Sequence, residues 1–314
     1  MTPLPDAADQ LPDAPQQNWV DRFAAPSLRP YLRLARLDRP IGWWLLFLPC
    51  WWSAALAGIA QYRAGPNFLH VLLCLFGAIT MRAAGCVYND IIDRDLDKKV
   101  ARTRNRPLAS GAVSVPQALI LLVGLALTGL FILTRFNTYT IWVGLCSLLP
   151  IAVYPFMKRI TSWPQAVLGL AFAWGGLVGW TAATEALTLK AVMIYIAAVF
   201  WTIGYDTVYA IQDFDDDSIA GIRSTPRLFG AATRKMVAIF YGLALFCLSI
   251  AYQLVDTGPL AWLGLLGFGA HLAWQINQID LKNPQIALKL FRSNRDAGLI
   301  LALSLSLDPL SRLL

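Results

Sequence analysis

"CVYNDIIDRDLDKKV", residues 86–100, places four aspartates and an asparagine at the end of an apolar run. Upstream of it, residues 68–89 are greasy enough to enter a bilayer, so the stretch joins a membrane span to a carboxylate cluster. Other apolar runs, "IGWWLLFLPCWWSAALAGIA" (41–60) and "ALILLVGLALTGLFIL" (118–133), match the roughly 20 residues needed to cross a hydrocarbon core. The chain is 57% hydrophobic and 14% charged over 314 residues, whereas a soluble domain carries about a quarter charged residues. A polytopic, all-α membrane protein is predicted.

Nine spans can be drawn outward from that stretch: about 41–60, 68–89, 116–134, 138–156, 163–183, 189–211, 233–254, 258–278 and 296–313. Small residues in "AWGGLVGW" (173–180) predict close approach of helix backbones. Residues 1–30 are polar and proline-rich, with Asp6, Asp9 and Asp13. They lack the basic and apolar regions of a signal peptide and the acid-poor character of a transit peptide. They read as a flexible polar tail preceding a single transmembrane domain, 31–314. Five scattered cysteines, with no CxxC pair, read as packing residues.

The net charge of +7 is absorbed by topology. Basic residues concentrate in the tail and in the loops after spans 2, 4, 6 and 8. The opposite loops hold only Arg63, Arg135, Lys190 and Arg312. This bias places the N-terminus inside and requires an odd number of spans. No nucleic-acid partner is expected. Both acidic clusters then fall on the inner, cytoplasmic side.

In the first cluster, Asn89, Asp93 and Asp97 recur at i, i+4 and i+8, along one helix face. Asp90 sits at the edge of that face and Asp95 points elsewhere. The second cluster is "YDTVYAIQDFDDD" (205–217), where Asp213 and Asp217 are again four apart. Asp206, seven residues before Asp213, lies on the same face, with Tyr209 close to it. Carboxylates this close repel one another, and a divalent cation resolves the repulsion. Oxygen ligands without imidazole or thiolate suit Mg²⁺, which binds through one or two carboxylates plus substrate phosphates. His70 and His271 belong to neither cluster, which disfavours zinc. The plain alternative is a solvated helix end neutralised by Lys98, Lys99 and Arg102. Two clusters of matching spacing on one side favour the metal reading.

Arg102, Arg104 and Arg106 follow the first cluster, and Arg223 and Arg227 the second. Lys158 and Arg159, in "YPFMKRIT", stand in a short loop on the same side. Guanidinium forks grip phosphate oxygens bidentately and ammonium groups supply a mobile charge. Each of these also serves as a topology determinant.

With both motifs in view, the chain resembles the UbiA superfamily of intramembrane prenyltransferases across residues 31–305. The pieces are "RLDRPIGWWLLFLPCWW", "YNDIIDRDLD", "RTRNRPLASGAVS", "YPFMKRIT", "YDTVYAIQDFDDD" and "GIRSTPRLFG". "RLDRPIG" and "YDTVYAIQDFDDD" resemble the branch acting on 4-hydroxybenzoate, which makes ubiquinone precursors. The extra Asp95 and the acidic tail depart slightly from the pattern.

The resemblance implies nine helices around a central cavity, Mg²⁺ dependence and a polyprenyl diphosphate donor. Asn89, Asp90, Asp93, Asp97, Asp213 and Asp217 would hold the metal, with the two helix tips brought together. Lys158 and Arg159 would assist the diphosphate, and Arg36 or Arg39 would contact it or the acceptor carboxylate. Tyr205 and Tyr209 would face the allylic cation, and Asp206 would accept a hydrogen bond from the acceptor phenol. The expected location is a cell inner membrane, with the N-terminus and site mouth cytoplasmic and lipid around the bundle. Another acceptor (a naphthoate, a homogentisate-like ring or haem) is the nearer rival. An ion-coupled transporter is the remoter one, disfavoured because both clusters lie on one side rather than at mid-depth.

Overall fold

The computed structural model describes residues 14–15, 18–99, 103–214 and 223–312, and among these every regular element is helical. In order they are α1 (Trp19–Phe23), α2 (Arg29–Leu34), α3 (Ile41–Ala60), α4 (Phe68–Asp97), α5 (Val115–Leu133), α6 (Thr138–Cys146) and α7 (Leu148–Ile160). Then come α8 (Pro164–Phe172), α9 (Gly175–Thr184), α10 (Leu189–Tyr209), α11 (Thr225–Phe229), α12 (Thr233–Val255), α13 (Pro259–Gln278) and α14 (Pro284–Leu307). Short 3₁₀ turns follow α10, α11 and α14.

Among the described residues seven helical stretches are long and apolar enough to cross a membrane: Ile41–Ala60, Phe68–Asp97, Val115–Leu133, Thr138–Ile160, Pro164–Thr184, Leu189–Asp213 and Thr225–Val255. Two of these are broken in the middle, at Ser147 and at Ala173–Trp174. α13 and α14, with 20 and 24 residues, are long enough to span about 30 Å at ~1.5 Å per residue. α14 begins twelve residues earlier than the span drawn at 296–313, because Asn283 caps it by accepting from the Gln285 and Ile286 amides. Within the segment expected to be a flexible tail, Trp19–Phe23 is helical, capped by Asn18.

Proline punctuates these starts. Pro30, Pro164, Pro226, Pro259 and Pro284 stand in the first turns of α2, α8, α11, α13 and α14, where the missing N–H is no loss.

The described residues sort into two compact units. The first comprises residues up to Trp43 together with Gly77–Phe131. Its core is Leu34, Val87, Leu108, Val113 and Ala118, flanked by Tyr31, Ile91, Leu121, Leu122 and Leu125. α5 turns Leu119, Ile120, Val123, Leu127 and Leu130 outward, an apolar surface that suits lipid and not water.

The second unit comprises Trp44–Phe76 and the chain from Ile132 onward. α10 packs against α8, α9, α12 and α14, and α13 against α12 and α14. The glycines of "AWGGLVGW" act as their size predicts. A Cβ added at Gly175 would collide with the Cys50 sulfur, and one at Gly179 with the Cys50 carbonyl oxygen. Ser53 Oγ donates to the Gly176 carbonyl in the same contact. Trp52 Nε1 donates to Gly298 O at 2.8 Å and Trp201 Nε1 to Asn294 Oδ1 at 2.9 Å. These indoles therefore reach the packed interior with their N–H groups satisfied.

Candidate functional site

α4 stays helical through Asp97, so the i, i+4, i+8 face of Asn89, Asp93 and Asp97 is real. Asp90, Asp93 and Asp97 are buried, at 2%, 0% and 5% exposure, and Asn89 is half-buried. Asp95 lies outside the set: its side chain is 74% exposed and pairs with Arg94 and Lys98.

Buried carboxylates require compensation, and two arginines of the same unit provide it. Arg36 Nη2 lies 2.9 Å from each oxygen of Asp90. Arg106 Nη1 bridges, at 3.3 Å from Asp90 Oδ1 and 2.9 Å from Asp97 Oδ2. Thr103 Oγ1 donates to the Asp97 carbonyl at 2.9 Å, tying off the end of α4. Arg36 holds a left-handed backbone, with φ of 56°, and its Nη1 donates to the Arg33 carbonyl at 3.0 Å.

Arg36, expected against substrate, is thus a clasp on Asp90. Arg39 reaches Asp38, its neighbour in sequence, through Nη2 at 2.9 Å, and Asp38 is 1% exposed. Sequence patterning missed the Arg36–Asp90 pair, because partners separated by 54 positions leave no periodic trace.

The second motif belongs to the other unit. Tyr205 is buried, its ring 5.0 Å from Trp201 and 5.8 Å from Phe291. Tyr209, half-buried, sets its ring 4.5 Å from the same Phe291 in a tilted contact. Asp206 and Asp213 are half-buried. The α-helix ends at Tyr209, and Ala210–Asp213 tightens into a 3₁₀ turn. This corrects the shared face drawn for Asp206 and Asp213 on one continuous helix: three residues per turn rotate Asp213 away from the 3.6-residue register. Asp217 lies outside the described residues, as does Arg102.

Lys158 and Arg159 occupy the last turn of α7 and not a loop. Cations there complement the helix dipole, and Lys158 is half-buried while Arg159 is exposed. The turn that follows is tied to the segment after the second motif. Arg223 N donates to Lys158 O at 3.3 Å, and Arg223 Nη1 to Ile160 O at 2.9 Å. Thr225 N donates to Gln165 Oε1 at 3.2 Å, and the Thr225 and Thr207 hydroxyls lie 2.7 Å apart. "GIRSTPRLFG" carried the signal: Ser-Thr-Pro is a helix-start pattern.

Among the described residues no three His, Cys, Asp or Glu side chains are grouped to hold a metal ion. The donors at the first motif are all oxygen, with neither imidazole nor thiolate among them, and that chemistry fits Mg²⁺.

A model of the UbiA prenyltransferase family matches residues 46–300. The 4-hydroxybenzoate polyprenyltransferase, mitochondrial, of Homo sapiens is 44% identical over 294 residues, covering 93% of this chain and 78% of the relative. That of Bos taurus is 43% identical over 296 residues, covering 93% and 79%. Among solved structures, the apo UbiA homolog from Aeropyrum pernix K1 superposes with a TM-score of 0.71 at 24% identity, over 83% of this chain and 96% of that one. The UbiA homolog from Archaeoglobus fulgidus bound to GPP and Mg2+ gives 0.65 at 19% identity, over 91% and 100%. At these identities the structural likeness speaks to the fold.

Proposed function

The chain belongs to the UbiA prenyltransferase family, and from that premise we propose the reaction it performs. It transfers a polyprenyl group from a polyprenyl diphosphate to the ring carbon ortho to the hydroxyl of 4-hydroxybenzoate, a step of ubiquinone biosynthesis. One observation carries this reading: 44% identity over 93% of the chain to an enzyme named for that reaction.

Asn89, Asp93 and Asp97 of the first motif, with Asp213 and Asp217 of the second, supply the oxygens that would hold Mg²⁺. When bound, the ion neutralises charge building on the diphosphate as the allylic C–O bond breaks. Asp90 supports this set through its arginine clasp. Lys158 and Arg159 add positive charge for the departing diphosphate. The bonding electrons leave with the diphosphate, and Tyr205 and Tyr209 offer ring faces to the allylic cation. Asp206 accepts the acceptor's phenolic hydrogen bond, which raises electron density at the ortho carbon. That carbon bonds to the prenyl carbon, and its proton passes to diphosphate or a carboxylate, restoring the ring.

In this reading α13 and α14 complete nine passes, with the basic-rich loops, the N-terminus and the site mouth on the cytoplasmic side of a cell inner membrane. The curated relatives are named as mitochondrial.

The test is product identification. Purified protein, Mg²⁺, geranyl diphosphate and 4-hydroxybenzoate should yield 4-hydroxybenzoate carrying a geranyl group at C3, by mass spectrometry and NMR. Prenylation of a naphthoate, a homogentisate or haem in preference, under competition, would reassign the acceptor.

A further inference from the structure

Ser224 stands inside the tethered segment and has an unspent hydroxyl. The residue is 3% exposed and its Oγ finds no hydrogen-bond partner among the described residues. It is the N-cap of α11, where a serine hydroxyl ordinarily accepts from the amide two or three residues on. The residue two on is Pro226, which has no N–H, and the hydroxyl caps nothing. A buried polar group without a partner costs stability, and a ligand oxygen accepting from this hydroxyl would remove that cost.

The surroundings define that ligand. On one side Arg223 fastens to the Lys158 and Ile160 carbonyls. On the other, Thr225 is held by Gln165 and Thr207, both buried. Ser224 is therefore fixed between two anchors, next in sequence to Arg223, in a segment bonded to the end of α7 where Lys158 and Arg159 stand. A held O–H donor in a segment joined to that basic helix end suits an oxyanion.

We infer that Ser224 is a diphosphate-binding residue whose hydroxyl donates to a diphosphate oxygen of the prenyl donor. Gln165, Thr207, Thr225 and Arg223 are the positioning residues that present it. This deepens the function proposed above and rests on it.

The test compares wild type, Ser224→Ala and Ser224→Thr in lipid-free detergent with Mg²⁺ present. Four quantities are read: KM for geranyl diphosphate, KM for 4-hydroxybenzoate, Ki of inorganic diphosphate and the thermal midpoint. Ser224→Ala should raise the donor KM and the diphosphate Ki roughly tenfold. Its acceptor KM should hold, and its thermal midpoint should stay level or rise. Ser224→Thr, which keeps the hydroxyl, should restore most of the loss. Unchanged donor KM and diphosphate Ki in an active Ser224→Ala protein would overturn this inference alone. So would a defect that appears only when anionic phospholipid is added, which would make the partner a lipid phosphate. An inactive wild type would defeat the transferase reading, and this one with it.

Discussion

Asp90 is buried in the first unit between Arg36 and Arg106, and its energetics are those of a desolvated pair. Such a pair adds little by itself, yet removing Arg36 leaves Asp90 with only the longer contact to Arg106, at a cost of up to about 3–5 kcal/mol. Arg36→Ala should therefore lower the thermal midpoint of the detergent-solubilised protein sharply. The double substitution Arg36→Met with Asp90→Leu should recover much of that loss. Asp95→Asn, on a solvated face with Arg94 and Lys98, should leave the thermal midpoint essentially unchanged. A single Arg36→Ala protein as stable as wild type would contradict the clasp. At this scale the sequence displayed the carboxylates and the oxygen-only donor set. It did not display their partners, because Arg36 and Asp90 are brought together by folding and not by periodicity.

Helices fared better where their signal is local. The motif face on α4, the proline-led starts and the glycine-rich contact follow from spacing and residue size. The 3₁₀ turn at Ala210–Asp213 did not, since helix ends tighten through hydrogen-bond choices that a hydrophobic pattern leaves open. Lys158 and Arg159 were misplaced for a similar reason: α7 continues through them to Ile160, and Thr161 caps it with its N–H on the Met157 carbonyl. The contact of α9 with α3 gives a prediction for elements. A side chain at Gly179 meets the backbone carbonyl of Cys50, which cannot swing aside. Gly179→Leu should destabilise by at least about 1–3 kcal/mol, the usual cost of overpacking, seen as reduced folded yield and a lower thermal midpoint. Wild-type values for both would show that the helices part freely.

For the molecule as a whole, hydropathy placed most of the spans within a few residues of the observed helices, because the bilayer fixes their length. The long basic α14 was shortened in that reading, since its first half carries Lys289, Arg292 and Arg295 and no apolar run. The charge bias makes a topological prediction. Single cysteines at Arg63 and Arg135 should react with an impermeant maleimide from the side opposite to one at Lys282. Labelling of all three from one side would overturn the proposed orientation.

The central claim is that the two aspartate motifs act through Mg²⁺ on a departing diphosphate. Its most direct test is the rate of geranyl transfer to 4-hydroxybenzoate by wild type, Asp93→Asn, Asp213→Asn and Asp95→Asn, each with Mg²⁺ and with EDTA. Wild type should lose activity in EDTA and regain it with Mg²⁺. Asp93→Asn and Asp213→Asn should each fall by about a hundredfold or more, while Asp95→Asn stays within about twofold. Wild-type rates in either of the first two variants, or in EDTA, would contradict the account.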